Sequence, residues 1–571
     1  MAGGGAGPGP FALLTRHFFE RLFHNDLVEF EDQMKERLIV ALALLAVFFF
    51  WASELMLFKY HFVPDTGRSW QEKSYLLTLM MLVFGVVTLL EWDVLFPDRR
   101  DFLNLMPLPV RLPSLFAAKL ASFVLFAATF SAAMSGPSSV LFSIYLAQWR
   151  GDTLAMAGRY VAAHVLAGFA ACFAVLFAVV ALQALLMAVL PEGLYRRSAL
   201  AVRFALIAGA VFFLLSFVAA PSVVAGLFRD LELLKETRHP FVFRFPPLWF
   251  VGLYEVLLGT RDAVFEAQAR TAVLAVAVSA ASFLGASVLS YRRHVLRTLE
   301  VGKGGRSGAG LREAVRRVLA RTVFRRPEER AVAGFFSGTL RSSPPHRMAL
   351  VYYLAVAAAF LTVLLAANRS ALRSLTPANG LFLVLPLLVA FAVLTGVRVV
   401  ADRPAALEAN WVFRLAETGR TSGYVSGLKK AVGLAFLGPL FLAVFVVHAF
   451  LWDAATAALH AAFGLTVSTV GLEALFRRYR KVPFACSWVP GRLKLQFTAV
   501  PVLIGLVLAG TALAAWEKAV LAEPRRGPLF AAVMAAAWGA LKWSDRRFYR
   551  TAELVFDEKP EGAMTGFPDP D

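Results

Sequence analysis

Charge is scarce in this chain, and so is every residue pattern that marks a soluble catalyst. Lys, Arg, Asp and Glu make up 17% of the 571 residues, against roughly a quarter in ordinary globular domains. So few charges cannot cover a water-facing surface. Only two cysteines occur, Cys172 in an apolar run and Cys486 in a basic loop, too far apart to pair and in no metal-ligand spacing. That excludes a disulfide scaffold and a thiolate metal site. None of the nine histidines stands in an HExxH setting, no GxSxG is present, and the acidic residues are scattered, so the gathered acid, base or nucleophile of a membrane enzyme is missing. A phosphate-cradling GxxxxGK[ST] is absent as well. GLKKAVG (427–433) has neither its spacing nor the hydroxyl residue that reaches magnesium, so the chain offers no nucleotide site and no cofactor site of its own.

Apolar length is what the chain has. Hydrophobic residues make up 58% of it and the mean hydropathy is +0.64. Twelve apolar stretches, at about 37–58, 74–95, 115–135, 160–190, 199–226, 271–291, 349–366, 380–400, 431–451, 455–475, 497–515 and 528–543, each approach the length that a hydrocarbon core of ~30 Å requires. Basic residues alternate across them: with the N-terminus in the cytoplasm, 42 of the 58 Lys and Arg fall on cytoplasmic segments and 16 outside. Shifting the register by one span reverses that bias, so the pattern predicts twelve spans with both termini cytoplasmic in the plasma membrane. The net charge of +19 lies beside the spans, where it sets orientation and meets anionic lipid heads; nucleic acid is not an expected partner. MAGGGAGPGP lacks the charged region and apolar core of a cleavable signal, which predicts an uncleaved first span. The tight turn near Asp453 is the least determined boundary.

A long basic stretch, about 292–348, divides the spans into six and six. The fold expected is therefore all-α and polytopic, with two six-helix halves, residues 1–300 and 301–571. Each half opens on an amphipathic segment suited to the membrane surface. In the first, Phe11, Leu14, Phe18 and Leu22 form an apolar stripe. In the second, LREAVRRVLARTVFRR (311–326) sets Leu311, Val315, Val318, Leu319 and Val323 against Arg312, Arg316, Arg317, Arg321 and Arg325. The loops after spans two and eight also correspond: Asp98-Arg99 and Asp402-Arg403 stand at the span exits, and Lys119 and Lys429 enter the next spans. Loops of this length exceed what joining neighbouring helices needs, so each is expected to dock something.

LMPLPVRLPSLFAAKL (105–120) resembles the loop after the second span of type-2 ABC exporter permeases. RRPEERAVAGFFSGTLRSSPPHRMALVYYLA (325–355), ANWVFRLAE (409–417), VPFACSWVPG (482–491) and PPLWFVGLYEVLLG (246–259) look like segments of a long, duplicated bacterial form. The resemblance implies a six-span permease fold occurring twice and a separate ABC-type ATPase in two copies, which supplies ATP and magnesium chemistry. It also implies that the loops carrying Asp98, Arg99, Arg100, Leu108, Pro109 and Arg111, and Asp402, Arg403, Trp411, Phe413 and Arg414, couple to that ATPase. The rival reading is a major-facilitator-like carrier driven by an ion gradient, which shares the span count. However, Phe96-Pro97 and Asp101-Phe102 flank the Asp98-Arg99-Arg100 run where that family has glycine and a Gly-Arg pair. Mid-span polar groups are few, which favours a lipophilic or amphipathic substrate.

The polar groups that do occur within spans have ordinary readings. His164 and Gln183 are expected to bond a neighbouring helix, and Arg203 to snorkel to water. Glu91 and Asp93 stand beside the first loop, and His448 near the end of span nine. Phe241, Phe243, Phe245, Trp249, Phe250 and Tyr254, in the outer segment that also holds Glu232, Glu236, Asp262 and Glu266, predict short helices settling at the interface. The charge split makes a topology prediction: cysteines placed at Thr66, Thr237 and Arg373 react with an impermeant thiol reagent from outside, and those at Ser307 and Ser422 do not. Outside labelling at Ser307 contradicts the scheme.

Overall fold

The computed structural model describes residues 9–22, 32–58, 69–92, 112–150, 153–219, 231–299, 317–368, 376–377, 379–405, 410–415, 421–486 and 495–556. Every regular element among them is a helix. Ten helices are long and apolar enough to cross a membrane, so the protein is an all-α, multi-pass membrane protein. The ten match the first ten expected spans. The last two, 497–515 and 528–543, fall on helices Leu495–Ala522 and Gly527–Phe548, which are not among the ten; the second carries Lys542, Asp545, Arg546 and Arg547 toward its end.

The chain forms two compact units, residues 1–303 and 304–571. The first contains α1 (Pro10–Leu22), α2 (Asp32–Leu57), α3 (Trp70–Leu90), α4 (Leu112–Arg150), α5 (Leu154–Val189) and α6 (Glu192–Ala219). Three short helices follow, α7 (Leu231–Glu236), α8 (Pro240–Arg244) and α9 (Pro246–Leu258), and then α10 (Ala263–Leu299). The second contains α11 (Pro327–Ser342), α12 (Pro344–Ala367), α13 (Gly380–Asp402), α14 (Asn410–Leu415) and α15 (Thr421–Val432). A π-helical turn, Gly433–Leu437, carries α15 into α16 (Gly438–Leu451), followed by α17 (Ala454–Leu475), α18 (Leu495–Ala522) and α19 (Gly527–Phe548).

Local chemistry sets these boundaries. Proline opens α8, α9, α11 and α12, where its missing N–H costs nothing. Gly259 ends α9 with φ of +90°, a left-handed conformation that favours glycine. The turn at Asp453 is as tight as the sequence implied: α16 ends at Leu451 and α17 begins at Ala454, with the Asp453 carboxylate accepting from the Thr456 N–H at 2.9 Å. In α4 the hydroxyls of Ser135 and Ser138 donate to the carbonyls of Ser131 and Met134, four residues back. Pro137 lies between them.

Six long helices build each unit, counting α15 and α16 as one, and they share most of a packing plan. In the first unit the second long helix, α3, packs on the fourth and fifth, α5 and α6; the third, α4, packs on α5, and α5 on α10. In the second unit α13 packs on α17 and α18, α16 on α17, and α17 on α19. The first long helix breaks the match, since α2 lies on α4 whereas α12 lies on α13. In both units the leading helix docks on the start of the third long helix: α1 on α4, α11 on α15. Phe18 of α1 is fully buried there, with Lys119 Nζ 4.9 Å from its ring centre. On the other side, Glu329 of α11 meets Lys430 Nζ at 2.7 Å. Residues 311–316 of the expected second amphipathic segment lie outside the described residues, and the helix that docks is the next one, α11.

Two expectations are corrected. Arg203 does not snorkel: it is 1% exposed, and its Nε and Nη2 donate to the carbonyls of Leu89 and Leu90, both at 3.0 Å. The end of α3 leaves carbonyls without helical partners, and the guanidinium fork spans two of them where lipid offers no donor. Nor do Phe250 and Tyr254 line an interface. Both are buried in the first unit's core, because the apolar helix α9 packs inward on α3, α5 and α10.

Close helix approach on α15 is testable. A Cβ at Gly427 would stand 2.7 Å from both the Cα and the carbonyl oxygen of Glu329, a backbone that cannot turn away. Gly427→Ala is expected to destabilise the purified chain by about 1–3 kcal/mol, read as a lower Tm. Gly334→Ala, which meets nothing within 4 Å, leaves Tm unchanged or higher.

Candidate functional site

The first expected coupling loop, with Asp98, Arg99, Arg100, Leu108, Pro109 and Arg111, lies outside the described residues, as does Asp93. Its flanks are described. Glu91 caps the end of α3, and Gln183 of α5 donates to the Trp92 carbonyl at 2.9 Å, the inter-helix bond its sequence position implied. His164 Nε2 likewise bonds a neighbouring helix, at Ser138 Oγ 3.0 Å away, while its Nδ1 is left open.

The second loop is described in parts, and it is braced from below. Asp402 ends α13 and pairs with Arg398, one turn back. Backbone bonds from Phe484 N to the Ala401 carbonyl (3.0 Å) and from Ala405 N to the Phe484 carbonyl (2.8 Å) fasten this exit to residues 482–486. His346 adds a third tie. Its Nε2 lies 3.0 Å from the Arg403 carbonyl and its Nδ1 2.7 Å from Ser343 Oγ; a carbonyl only accepts, so Nε2 carries the hydrogen. Further along, Phe413 packs edge-on against Phe335 at 4.9 Å, and Arg414 lies 5.4 Å from the Phe556 ring. Trp411 is 59% exposed. The described part of the loop thus has an inner face fixed to the unit and an exposed indole.

Beneath it lies a charge network that sequence reasoning did not find. Lys429 of α15 is 5% exposed and donates to Glu473 of α17 and Asp545 of α19, each at 2.7 Å. Lys542 approaches the other oxygen of Glu473 at 2.5 Å. Two lysines and two carboxylates therefore sum to zero charge, the condition under which ions can leave water at tolerable cost. Lys430 joins α11 to the network's edge. Burial alone raises the Glu329 pKa, but hydrogen bonds from Lys430 and Ser426 outweigh it and hold the carboxyl below its usual range. Nearby, burial and the Asp402 carboxylate push the Tyr479 hydroxyl well above the ordinary tyrosine range. The tyrosine stays neutral under the Arg398 guanidinium, which is 4.5 Å from its ring.

The first unit has its own buried pair. Lys73, fully buried at the start of α3, meets Glu255 of α9 at 2.5 Å and lies 4.6 Å from the Tyr254 ring. Thr260 Oγ1 donates to the second Glu255 oxygen at 2.9 Å. The Trp70 indole donates to Glu232 at 2.7 Å, and Lys235 meets Asp262 at 2.9 Å. Ionic and polar bonds thus pin α7 and α9 across one end of α3 and α10. Burial opposes ionisation of Asp262, but Lys235 and the Val264 N–H prevail and keep its carboxyl below the usual range.

Lys429→Met leaves two carboxylates facing one lysine in a dry site. It is expected to cost about 3–5 kcal/mol, measured as chemical or thermal unfolding in detergent. Asp545→Asn added to that variant recovers part of the loss. Single variants within about 0.5 kcal/mol of the parent would show that the network is solvated.

No family model matches the chain, and no curated protein or solved structure is significantly similar to it.

Proposed function

We propose that this chain is the membrane-embedded permease component of an ATP-driven exporter, working with a separate ABC-type ATPase in two copies. The observation that carries the reading is the packing plan common to the two units. Each docks a leading helix on a lysine-bearing start of its third long helix. An ATPase pair needs two such attachment points, and one chain with two similar halves supplies both.

In this reading twelve helices span the plasma membrane with both termini cytoplasmic, as the 42-to-16 distribution of basic residues favours. The loops after α3 and α13 face the cytoplasm. α1 and α11 lie along the inner surface as elbows, and closure of the ATPase pair pushes the loops so that the helical units alternate between inward and outward states. Support for a coupling role of the second loop is mechanical: Asp402 is paired with Arg398 of α13, the Arg403 carbonyl is bonded to His346 of α12 and Phe413 packs on Phe335 of α11, so force on Trp411 is delivered to α11, α12 and α13 together. Scarce mid-span charge favours a lipophilic or amphipathic cargo.

The test joins biochemistry to position. Purified alone, the chain hydrolyses no ATP; with an ATP-hydrolysing subunit encoded beside it, it forms a complex whose hydrolysis responds to substrate. A photo-crosslinker at position 411 captures that subunit, and Trp411→Ala weakens the complex by at least about tenfold, as loss of an aromatic anchor does. Transport in nucleotide-free vesicles driven by a proton gradient, or a complex indifferent to Trp411 and to reversal of Arg403 and Arg414, overturns the assignment.

A further inference from the structure

We propose that His448, His460 and Glu517 form a proton-binding site inside the second unit, a role that does not depend on the ATP-driven reading. Three helices bring the cluster together. His448 lies one turn from the end of α16, His460 early in α17 and Glu517 near the end of α18. The three are 7%, 1% and 1% exposed, so water does not satisfy them.

Their hydrogen bonding leaves room for a proton. His448 Nδ1 is 2.8 Å from the Val444 carbonyl; the carbonyl can only accept, so Nδ1 carries the hydrogen and Nε2 keeps its lone pair. That Nε2 has no hydrogen-bond partner. His460 Nδ1 is 2.5 Å from Glu517 Oε1, while His460 Nε2 and Glu517 Oε2 have none. Single buried polar atoms are open at other places, such as Asp402 Oδ1 and His164 Nδ1, but here three stand open in one buried cluster, which calls for a ligand. Among the described residues no three His, Cys, Asp or Glu side chains are arranged to hold a metal ion. A proton needs no such geometry.

The surroundings leave the balancing charge to the cluster itself. On α13 the charged residues, Arg398 and Asp402, are at the opposite end, as are Lys542, Asp545, Arg546 and Arg547 on α19. The described charges at the near end are Asp453 in the α16–α17 turn, Lys518 on α18, and Glu523, Arg525 and Arg526 after it, all exposed. Uptake forms one N–H bond at His448 Nε2 from a proton delivered as hydronium, which leaves as water. The cluster gains one positive charge, and Glu517, held on His460, is the carboxylate that stabilises it. Trp452 completes the site: its ring centre is 4.4 Å from that of His448 and 5.4 Å from that of His460, close enough for its π face to favour an imidazolium.

The indole also reports the event, because an adjacent imidazolium quenches tryptophan emission. The full chain in lipid nanodiscs is titrated from about pH 4.5 to 9, and the spectrum of Trp452→Phe is subtracted to isolate Trp452. The expected result is one step between about pH 5 and 8, the range in which histidine changes charge. His448→Gln abolishes it, and Glu517→Gln moves it about one pH unit or more lower by removing the stabilising carboxylate. His448→Gln removes a side chain bonded to its own helix, so the fold is expected to survive; near-UV circular dichroism at neutral pH verifies this. Should it not survive, the isosteric Glu517→Gln alone decides. A flat difference signal, or a step that both folded variants leave unchanged, overturns the site.

Discussion

In hydrocarbon a polar group without a partner stays without one, and that constraint explains more of this molecule than apolar burial does. Lipid is as apolar as leucine, so apolar side chains alone give little reason for one helix arrangement over another. Large apolar residues accordingly face outward, Phe450 at 87% exposure and Leu154 at 90%, without penalty. What discriminates is the matching of buried charges and backbone ends. Arg203 can be satisfied only where α3 ends, and Lys429 only where α17 and α19 both bring carboxylates. Lys73 similarly requires α9 folded inward. Each is a specific address in an otherwise greasy interface.

Such addresses explain what was readable along the chain and what was not. The first ten spans were legible because about twenty apolar residues in a row is a one-dimensional signal set by bilayer thickness. The partners were not legible. Lys429 was visible as a lysine entering a span, but Glu473 and Asp545 lie 44 and 116 residues away, and nothing local pairs them with it. Arg203 was misread because its distance from the span boundary was counted along its own helix, whereas its real neighbour is the end of another. α11 was passed over for the more basic segment before it, since arginine density signals a lipid surface and not a protein groove. The hint is Gly423 and Gly427 on α15, four residues apart, which clear space for the Glu328 side chain and the Glu329 backbone. In the loop after α13, Asp402 and Arg403 are adjacent in sequence, but that adjacency does not foretell their partners, Arg398 for the Asp402 carboxylate and His346 for the Arg403 carbonyl.

The two units agree in more than packing. Each has a histidine early in its fourth long helix that faces a polar residue late in its third: His164 with Ser138 at 3.0 Å, and His460 with His448, ring centres 4.8 Å apart. In the first unit the partner is a hydroxyl that can donate to or accept from His164 Nε2. In the second it is another imidazole whose free nitrogen is left open. The two contacts thus differ in the partner, a hydroxyl in one unit and a second imidazole in the other, while the far ring nitrogen of His164, Nδ1, is open as well.

That difference bears on which unit can respond to its surroundings. Around His164 in the first unit, the Lys73–Glu255 pair and the bonds from Trp70 and Lys235 bind α3 to the short helices, so opening there means separating ions in a medium that cannot solvate them. Around His460 no lysine or arginine among the described residues is buried beside the carboxylate. Separating α16, α17 and α18 there breaks one histidine–glutamate bond and hydrates three polar atoms that had been left open. Opening at this end of the second unit therefore separates no buried lysine pair, and a proton, by charging the cluster, changes its cost.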